Sequence, residues 1–385
     1  MTDSVVDGTL VVVFWTSIAI VVHVYLGYPL SLLLFSRRRL RGRSESSDPR
    51  ISILIAAYNE EREIGATIQN KLELDYPQDK LEIVVVSDGS ADRTDEIARS
   101  FEPRGVIVLR QEPRQGKTAA LNRARAESTG EMLLVSDANS RWDRLAARRL
   151  VEAFDDPSVG YATGTLMYLN PGDAPSAASC GAYMRYENWL RTLETRIGSI
   201  VGVNGGIDAV RRDLYQPMRA DQIPDFILPL NVAEAGSRVI YVPAALAYEH
   251  ALERSRDELR MRVRVSLRSL RALVEKRHLL SPRFGRLAYQ LLVHKVLRYA
   301  LFVPLVVALI ANALLWRHPL YRVLLIAHVA CYAGAILGWA LEESRLGRLL
   351  KLPAFFLVTN VGAALAVAKL LRGERQVQWQ PRKGA

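Results

Sequence analysis

The sequence predicts an α/β domain with a doubly wound parallel sheet, inserted between transmembrane helices. Short strands rich in Val and Ile alternate with helix patterns between residues 51 and 137, and polar or acidic residues follow several of these strands. Long apolar segments flank this region on both sides. Ligands of such sheets bind beyond the carboxyl ends of the strands, so the acidic strand ends indicate where a functional site lies.

The strands and helices of this domain follow each other in a regular order. The predicted strands are Ile51–Ala57, Leu81–Val86, Val106–Leu109 and Glu131–Val135. Helix patterns follow the first three strands, at residues 64–72, from residue 92 onward and at residues 118–126. Strands that alternate with helices in this way are typical of parallel sheets covered on both faces.

Composition agrees with a soluble domain joined to membrane helices. Of the 385 residues, 50% are hydrophobic and 24% are charged. The 51 Lys and Arg exceed the 40 Asp and Glu by 11, which raises the possibility of nucleic-acid binding. Much of this excess lies at residues 37–43 and 254–271, beside apolar segments, where it is expected to face anionic lipids. The sequence therefore predicts membrane lipids, and no nucleic acid, as partners.

Four apolar segments are candidate membrane spans. The first, Thr9–Phe35, is long enough for a hydrocarbon core of about 30 Å at about 1.5 Å per residue. Acidic residues precede it and basic residues follow it, which predicts a retained helix with the next residues in the cytoplasm. The others are Tyr299–Trp316, Leu320–Leu341 and Pro353–Leu371. If all cross, the basic tail lies outside, so a re-entrant or interfacial course for one of them is an alternative.

An arginine-rich segment precedes the C-terminal spans. Between residues 253 and 280, Leu259, Val263 and Leu267 recur at helical spacing among the arginines. This pattern indicates a basic amphipathic helix at the membrane interface, or a helix that packs its apolar face on protein. The expected organisation is a transmembrane helix at 1–36, a cytoplasmic domain at 37–250, amphipathic interface helices at 251–298, about three spans at 299–372 and a basic tail at 373–385.

Polar residues at the strand ends suit phosphate and a divalent cation. A single Asp-Gly such as Asp88-Gly89 is most often a plain turn, but acidic residues recur at successive strand ends. Asp137 and Asn139 supply oxygen ligands two residues apart, which suit Mg²⁺ or Mn²⁺. Gly116 and Lys117 begin a helix and can receive a diphosphate. A P-loop ATPase is excluded, because glutamine stands where the first glycine of that motif is required.

A series of motifs resembles those of the membrane-bound family 2 glycosyltransferases, which have the GT-A fold. The segments similar to the family's nucleotide-sugar motifs are Ala56–Glu60, Val86–Thr94, Gly116–Asn122 and Ser136–Asn139. Gly205–Arg212 is similar to its acceptor-side loop and Ile223–Leu230 to its catalytic-base motif. His294–Arg298 and Trp379–Pro381 resemble features of the branch that contains hyaluronan, cellulose and poly-N-acetylglucosamine synthases. The resemblance covers nearly the whole chain.

The resemblance implies a role for each matching residue. The nucleotide-sugar-binding residues would be Ala57, Glu60, Asp88, Gly116, Lys117 and Asp137. Asp88 would contact the base and Lys117 the diphosphate or nucleoside. Asp137 and Asn139 would hold Mg²⁺ or Mn²⁺, with one formal charge fewer than the family's usual D-x-D. Gly205, Gly206 and Arg211 would face the acceptor, and Asp225 would be the general base without the paired acid that relatives commonly carry.

The function implied is an inverting, metal-dependent hexosyltransferase. It would move a sugar from a nucleotide-sugar, expected to be a UDP-sugar, to a glycan or polyprenyl-linked acceptor at the cytoplasmic face of the inner membrane, in exopolysaccharide or envelope glycan synthesis. One alternative is a processive synthase that secretes its polymer, although Val265–Ser269 stands where such enzymes carry Gln-x-x-Arg-Trp. Another is a nonenzymatic membrane assembly or transport subunit with a degraded transferase domain. Donor sugar, linkage and oligomeric state stay open.

Overall fold

The computed structural model describes residues 2–35, 48–169, 175–250, 255–341 and 344–374. Two features of the sequence lie outside these residues: the basic cluster at 37–43 and the motif Trp379–Pro381. Most of the predicted basic tail, from residue 375 onward, also lies outside them.

Eight strands form one mixed sheet. They are β1 (Ile51–Ala57), β2 (Leu81–Asp88), β3 (Val106–Gln111), β4 (Met132–Asp137), β5 (Arg141–Trp142), β6 (Val159–Leu169), β7 (Ile207–Arg211) and β8 (Arg238–His250). Their order is β3-β2-β1-β4-β7-β6-β8-β5. The strands from β3 to β4 are parallel, whereas β7 runs antiparallel to both β4 and β6. The predicted parallel sheet is therefore one half of a larger mixed sheet.

Helices cover the sheet and continue into the apolar regions. They are α1 (Thr2–Val22), α2 (Tyr28–Leu34), α3 (Ile64–Leu72), α4 (Thr94–Arg99), α5 (Lys117–Glu127), α6 (Ala146–Glu152), α7 (Pro175–Ile197), α8 (Pro224–Glu234), α9 (Ser255–Glu275), α10 (Arg286–Gln290), α11 (Phe302–Leu314), α12 (Pro319–Ala340), α13 (Arg345–Leu349) and α14 (Lys351–Leu371). Strand β1 contacts both core layers: Ile53 and Ile55 pack into one layer and Leu54 into the other. Burial on both faces gives the continuous apolar run of a central parallel strand.

The strands extend further than their apolar runs. Strand β2 ends at Asp88, β3 at Gln111 and β4 at Asp137, each two residues beyond the predicted end. The ladders with β1 continue there, since Ala57 pairs with Ser87 and Ala56 with Asp137. Backbone pairing does not depend on side-chain polarity, which explains the difference. These polar residues are consequently held by the sheet and not by flexible turns.

Three helices are long and apolar enough to cross a membrane among the described residues: Asp7–Leu34, Pro319–Ala340 and Lys351–Leu371. The predicted span Tyr299–Trp316 is different, because α11 has only 13 residues, or about 20 Å at about 1.5 Å per residue. It follows the helical segment Arg286–Leu297 with a bend of 59°, as in a broken span or a re-entrant segment. One of the four predicted crossings is therefore not a single straight helix.

A buried polar cluster joins the domain to the first apolar helix. Tyr28 donates a hydrogen bond to Glu194 of α7. His294, on the helical segment before the bend, lies 2.7 Å from Glu194 and 3.2 Å from Glu187. Arg298 completes the cluster at 2.5 Å from Glu187. Because a buried charge without its partner is costly, these contacts fix the domain and the apolar helices in one orientation.

The predicted basic amphipathic helix is α9. It packs along α14, where Gly362 allows close approach by Leu259 and Val263. The guanidinium of Arg262 lies 4.3 Å from the Phe355 ring centroid. Its apolar face therefore packs on protein, as in the second alternative, while Val265 stays exposed. The interfacial location of this segment stays a prediction.

Candidate functional site

The carboxyl ends of β1, β2 and β4 meet at one edge of the sheet. Ala56 of β1 is level with Asp137 of β4, and Ala57 is level with Ser87, next to Asp88. The three residues predicted from separate motifs, Ala57, Asp88 and Asp137, thus lie at the same edge. This is the edge at which ligands of parallel sheets bind.

Asp88 shapes the loop that leads to α5. Its carboxylate is 1% exposed and accepts hydrogen bonds from the backbone N–H of Gln115 and Gly116, both at 2.8 Å. The Gln111 amide donates a third at 2.6 Å. Gly116 has φ +97°, a conformation that favours glycine. Asp88 therefore positions the loop before Lys117, and its predicted contact with a base stays a prediction.

Glu60 lies in the turn after β1, beside the turn after β2. Its backbone N–H donates to Thr94 Oγ1 at 2.8 Å. The preceding Asn59 accepts a hydrogen bond from the Ala91 N–H at 2.9 Å. These bonds hold the two turns together, so Glu60 is at the same edge as Ala57. The placement agrees with the motif, and its ligand contact stays a prediction.

An aromatic ring and a guanidinium stack beside Asp88. The guanidinium of Arg114 lies 3.4 Å from the Tyr58 ring centroid, and its Nε lies 3.6 Å from Asp88. Its Nε and Nη2 are buried without a hydrogen-bond partner among the described residues. A stacked ring and guanidinium suit a planar ligand such as a base. Sequence reasoning missed Arg114, because no motif marks it.

Lys117 connects two carboxylates from different elements. Its Nζ lies 2.5 Å from Asp137 Oδ1 and 3.9 Å from Asp225 Oδ1. Burial by itself would lower the pKa of Lys117, but the charges of Asp137 and Asp225 outweigh it and raise the pKa above its usual value. Lys117 is therefore a cation at neutral pH, held between the end of β4 and the start of α8.

Asp225 lies in the first turn of α8, directly after Pro224. Burial raises the pKa of Asp225, and the nearby charge of Asp137 raises it further, whereas Lys117 and Arg268 act in the opposite direction. A carboxyl with a raised pKa is a better proton acceptor near neutral pH than an ordinary aspartate. The raised pKa agrees with the predicted general base, and that role of Asp225 stays a prediction.

Two glycines bring a loop close to these acids. A Cβ on Gly205 would lie 2.8 Å from Asp225 Oδ2, and a Cβ on Gly206 would lie 3.5 Å from Asp137 Oδ2 and 3.0 Å from Glu249 Oε1. Both have positive φ, +74° and +72°. Side chains are excluded on both grounds, so the backbone borders the site as the predicted acceptor-side loop would.

Arg211 is a correction to the predicted site. It pairs with Met132 at the start of β4, five residues before Asp137 and about 17 Å away at about 3.3 Å per residue. Its guanidinium donates to the carbonyls of Val159 and Phe154 at 2.8 and 2.9 Å. The motif was continuous in sequence, but an extended strand carries its last residue to the opposite edge of the sheet. Arg211 therefore fastens β6 and does not face the acceptor side.

The side chains near Asp137 fit a divalent cation that is completed by other ligands. Asp137 and Glu249 both border the space that a Cβ on Gly206 would fill. No group of three or more His, Cys, Asp and Glu side chains suited to a metal occurs in the described ranges. Mg²⁺ is commonly bound by one or two carboxylates together with phosphates and water, which matches this donor set. Asn139 follows in the same turn, and its predicted ligand role stays a prediction.

Arg268 and Asp208 are further charged residues that sequence reasoning did not assign to the site. Arg268 of α9 donates to the carbonyl of Gln222, and its charge acts on Asp225. It occupies the arginine position of the otherwise absent Gln-x-x-Arg-Trp motif, which was the available signal. Asp208 of β7 is 1% exposed, and burial together with the charge of Asp225 raises its pKa to about 8.

We expect Asp208→Asn to change the pH dependence of stability. Folded Asp208 keeps its proton up to about pH 8, whereas unfolded Asp208 loses it near its ordinary pKa of 3.8, so this group's contribution to stability falls as the pH rises between these values. The variant has no such loss. Between about pH 5 and pH 8.5 the melting temperature of the variant should drop by at least about 3 °C less than that of the wild type. The control is Asp213→Asn, because Asp213 is exposed. If the melting temperatures of Asp208→Asn and the wild type fall equally with pH, the prediction is wrong.

A buried lysine, Lys71, stabilises the turn after β4. Lys71 of α3 donates to the Ser140 carbonyl at 2.7 Å and lies 4.7 Å from the Trp142 ring centroid. The neighbouring Asn70 binds the N–H and the carbonyl of Trp142 at 2.7 and 3.0 Å. Trp142 in turn donates from Nε1 to the Gly206 carbonyl at 2.8 Å. The turn after Asp137 and the loop that contains Gly206 are thereby fixed to each other.

Trp142→Phe should loosen the loop around Gly206. The variant keeps most of the buried ring but leaves the Gly206 carbonyl without its donor, which costs about 1–3 kcal/mol. Urea unfolding should show this loss, and hydrogen exchange at residues 203–207 should accelerate. Trp189→Phe is the control, since Trp189 is 45% exposed. Unchanged exchange in this loop would count against the network.

Comparison with known proteins gives consistent matches. A family model described as "Glycosyl transferase family 2" matches residues 52–215. The probable glycosyltransferase YdaM of Bacillus subtilis is 30% identical over 230 residues, which cover 56% of this chain and 54% of that protein. The beta-monoglucosyldiacylglycerol synthase of Trichormus variabilis is 28% identical over 206 residues, covering 52% and 44%. The matched region spans about half the length of each relative.

One solved structure resembles almost the whole chain. It is the mannosyltransferase PcManGT from Pyrobaculum calidifontis in complex with GDP-Man and Mn²⁺, with a TM-score of 0.72 and 21% sequence identity. The match covers 96% of this chain and 99% of that one. At this identity the likeness concerns the fold, and it confirms the α/β domain of GT-A type together with the arrangement of flanking apolar helices.

Proposed function

We propose that this chain, whose residues 52–215 match the model of glycosyl transferase family 2, transfers a sugar from a nucleotide-sugar to a membrane acceptor with inversion of the anomeric carbon. The observation that carries the proposal is that Lys117 lies 2.5 Å from Asp137 and 3.9 Å from Asp225, with Gly205 beside Asp225. A cation, a carboxylate suited to a metal ion and a carboxylate suited to a base are the groups that sugar transfer from a diphosphate requires.

The donor binds at the edge formed by β1, β2 and β4. The nucleotide base lies against the stacked side chains of Tyr58 and Arg114. Lys117 binds the diphosphate, and Asp137, with Glu249 or Asn139, would hold Mg²⁺ or Mn²⁺. The bound cation would neutralise charge on the departing nucleoside diphosphate. Lys117 acts on the same charge, which is greatest in the transition state, so its contribution lowers the barrier selectively.

The acceptor hydroxyl meets Asp225 from the side of the glycine loop. Asp225 is 28% exposed, and Gly205 has no side chain to cover Oδ2, so an acceptor hydroxyl can hydrogen-bond to this oxygen. Asp225 takes the proton as the hydroxyl oxygen attacks the anomeric carbon, while the bond to the diphosphate breaks on the opposite face. The raised pKa of Asp225 favours this proton transfer near neutral pH. A single displacement of this kind inverts the anomeric configuration.

The chain is proposed to be an integral membrane protein with its domain in the cytoplasm. If the three long helices cross and the bent pair is re-entrant, the domain and the C-terminal tail lie on the same side. The basic residues at 37–43, along α9 and in the tail then share that side, in agreement with the positive-inside rule. This topology removes the conflict that four crossings create, and it places the acceptor in the membrane or at its surface.

A panel of nucleotide-sugars offered to the purified protein in lipid nanodiscs tests the function. We expect release of a nucleoside diphosphate from at least one donor, more in Mn²⁺ or Mg²⁺ than in EDTA, and a sugar-bearing lipid or polymer detected by mass spectrometry. Product length distinguishes addition of few sugars from chain synthesis. Absence of both binding and release with every donor would sink the proposal and favour a nonenzymatic subunit.

A further inference from the structure

Lys295 lies where the domain meets the apolar helices. It follows His294, which is fixed against α7 by Glu194 and Glu187. The Lys295 side chain is partly exposed, and its Nζ lies 5.6 Å from the centroid of the Phe226 ring. Phe226 is the neighbour of Asp225 in α8. The ammonium is therefore close to the proposed base but belongs to a different part of the chain.

The glycine loop, residues 202–206, connects the two groups. A Cβ on Gly202 would collide with Lys295 Nζ, so the ammonium packs directly on the loop backbone. Three residues later, a Cβ on Gly205 would lie only 2.8 Å from Asp225 Oδ2. An extended chain advances by at most about 3.3–3.6 Å per residue, so the two glycine Cα atoms are no more than about 11 Å apart. Lys295 and Asp225 consequently lie against the same short loop, one near each end.

Two lysines lie in the neighbourhood of the proposed base. Lys117 Nζ lies 3.9 Å from Asp225 Oδ1. Lys295 lies at the Gly202 end of the loop, beside the ring of Phe226. It also lies towards the membrane helices, because the adjacent His294 is linked through Glu194 to Tyr28 of the first apolar helix. An acceptor that extends from Asp225 along residues 202–206 towards the membrane helices would reach Lys295.

We propose that Lys295 binds a phosphate ester of a membrane lipid, next to the acceptor hydroxyl held at Asp225. The inference rests on the proposed function and names the acceptor class as phosphate-bearing. An ammonium binds phosphate as a point charge through up to three donors. A neutral diacylglycerol-type acceptor would not use this charge. The phosphate belongs either to a polyprenyl-linked sugar or to the headgroup of a neighbouring phospholipid.

The variant Lys295→Met tests this inference in phosphatidylcholine nanodiscs. The two acceptor probes are undecaprenyl diphosphate-linked N-acetylglucosamine and neutral glucosyl diacylglycerol. We expect the KM for the phosphate-bearing probe to rise at least about tenfold, the usual order for a lost charged hydrogen bond. The KM for the donor and transfer to the neutral probe should stay within about twofold. Lys80→Met, which removes a lysine that binds the Asp48 carbonyl, is the matched control.

Further measurements separate the outcomes. If phosphatidylglycerol in the bilayer competes with the phosphate-bearing probe in the wild type but not in Lys295→Met, the headgroup is a source of the phosphate. Equal losses with both probes, a raised donor KM or no loss would overturn the inference. Native mass spectrometry of bound lipid makes the same comparison without turnover. Donor hydrolysis without acceptor, and its dependence on Asp225, tests the proposed function independently.

Discussion

Asp225→Asn is expected to abolish sugar transfer while the protein still folds and binds its donor. The amide has nearly the same shape as the carboxylate but cannot accept the proton of the acceptor hydroxyl. General-base catalysis contributes about 10²–10⁴-fold to a rate, so the loss in kcat should fall in this range or exceed it. Initial rates with a saturating donor measure the effect. Calorimetric titration with the nucleoside diphosphate should show affinity within about threefold of the wild type.

The control for this variant is Asp221→Asn, four residues earlier in the same segment. Asp221 pairs with Arg219 at 3.1 Å. The acid that lies beside Gly205 is Asp225. Its substitution should leave transfer unchanged. The wild-type rate should also fall as the pH drops through the raised pKa of Asp225, because protonation removes the base. Retention of more than about a tenth of the wild-type rate in Asp225→Asn would exclude this residue as the base.

The parallel half of the sheet could be predicted because its strands follow a simple physical rule. Strand β1 is buried on both faces, so its apolar run is unbroken. The neighbouring strands β2 and β4 also carry apolar runs before they end in Asp88 and Asp137. Asp88 and Asp137 were found in this way, and Lys117 followed from the resemblance. Their common edge was predictable because parallel strands align their carboxyl ends.

The other half of the site could not be predicted in the same way. Asp208 and Glu249 lie inside strands β7 and β8, where a single acidic residue in sequence gives no sign of what it faces. Their positions depend on β7 running antiparallel between β4 and β6, which is a tertiary arrangement. The same antiparallel course explains the error at Arg211: the motif was read as one surface, although a strand separates its two ends.

The second large effect is expected from Asp137→Asn. The variant removes the carboxylate that borders both Lys117 and Gly206, and with it the main charge available to a divalent cation. Mutation of a residue that hydrogen-bonds to a metal ligand typically lowers metal affinity or activity about 10–100-fold. Loss of the ligand itself should therefore lower activity by at least about 100-fold. Calorimetric titration with UDP or GDP in Mn²⁺ should show a matching loss of affinity. In EDTA the affinities of variant and wild type should be similar. Asp143→Asn, at a partly exposed site after β5, is the control.

The ion pair of Lys117 with Asp137 adds a condition to this prediction. At 2.5 Å the ammonium uses the same carboxylate that would hold the cation, so a cation alone meets a positive charge in its site. A diphosphate gives Lys117 a second anionic partner and supplies oxygen ligands to the cation at the same time. Mn²⁺ should therefore bind at least about tenfold more tightly when the nucleoside diphosphate is present, as measured by electron paramagnetic resonance. The coupling should be lost in Asp137→Asn. Tight Mn²⁺ binding without nucleotide, unaffected by this variant, would place the metal elsewhere.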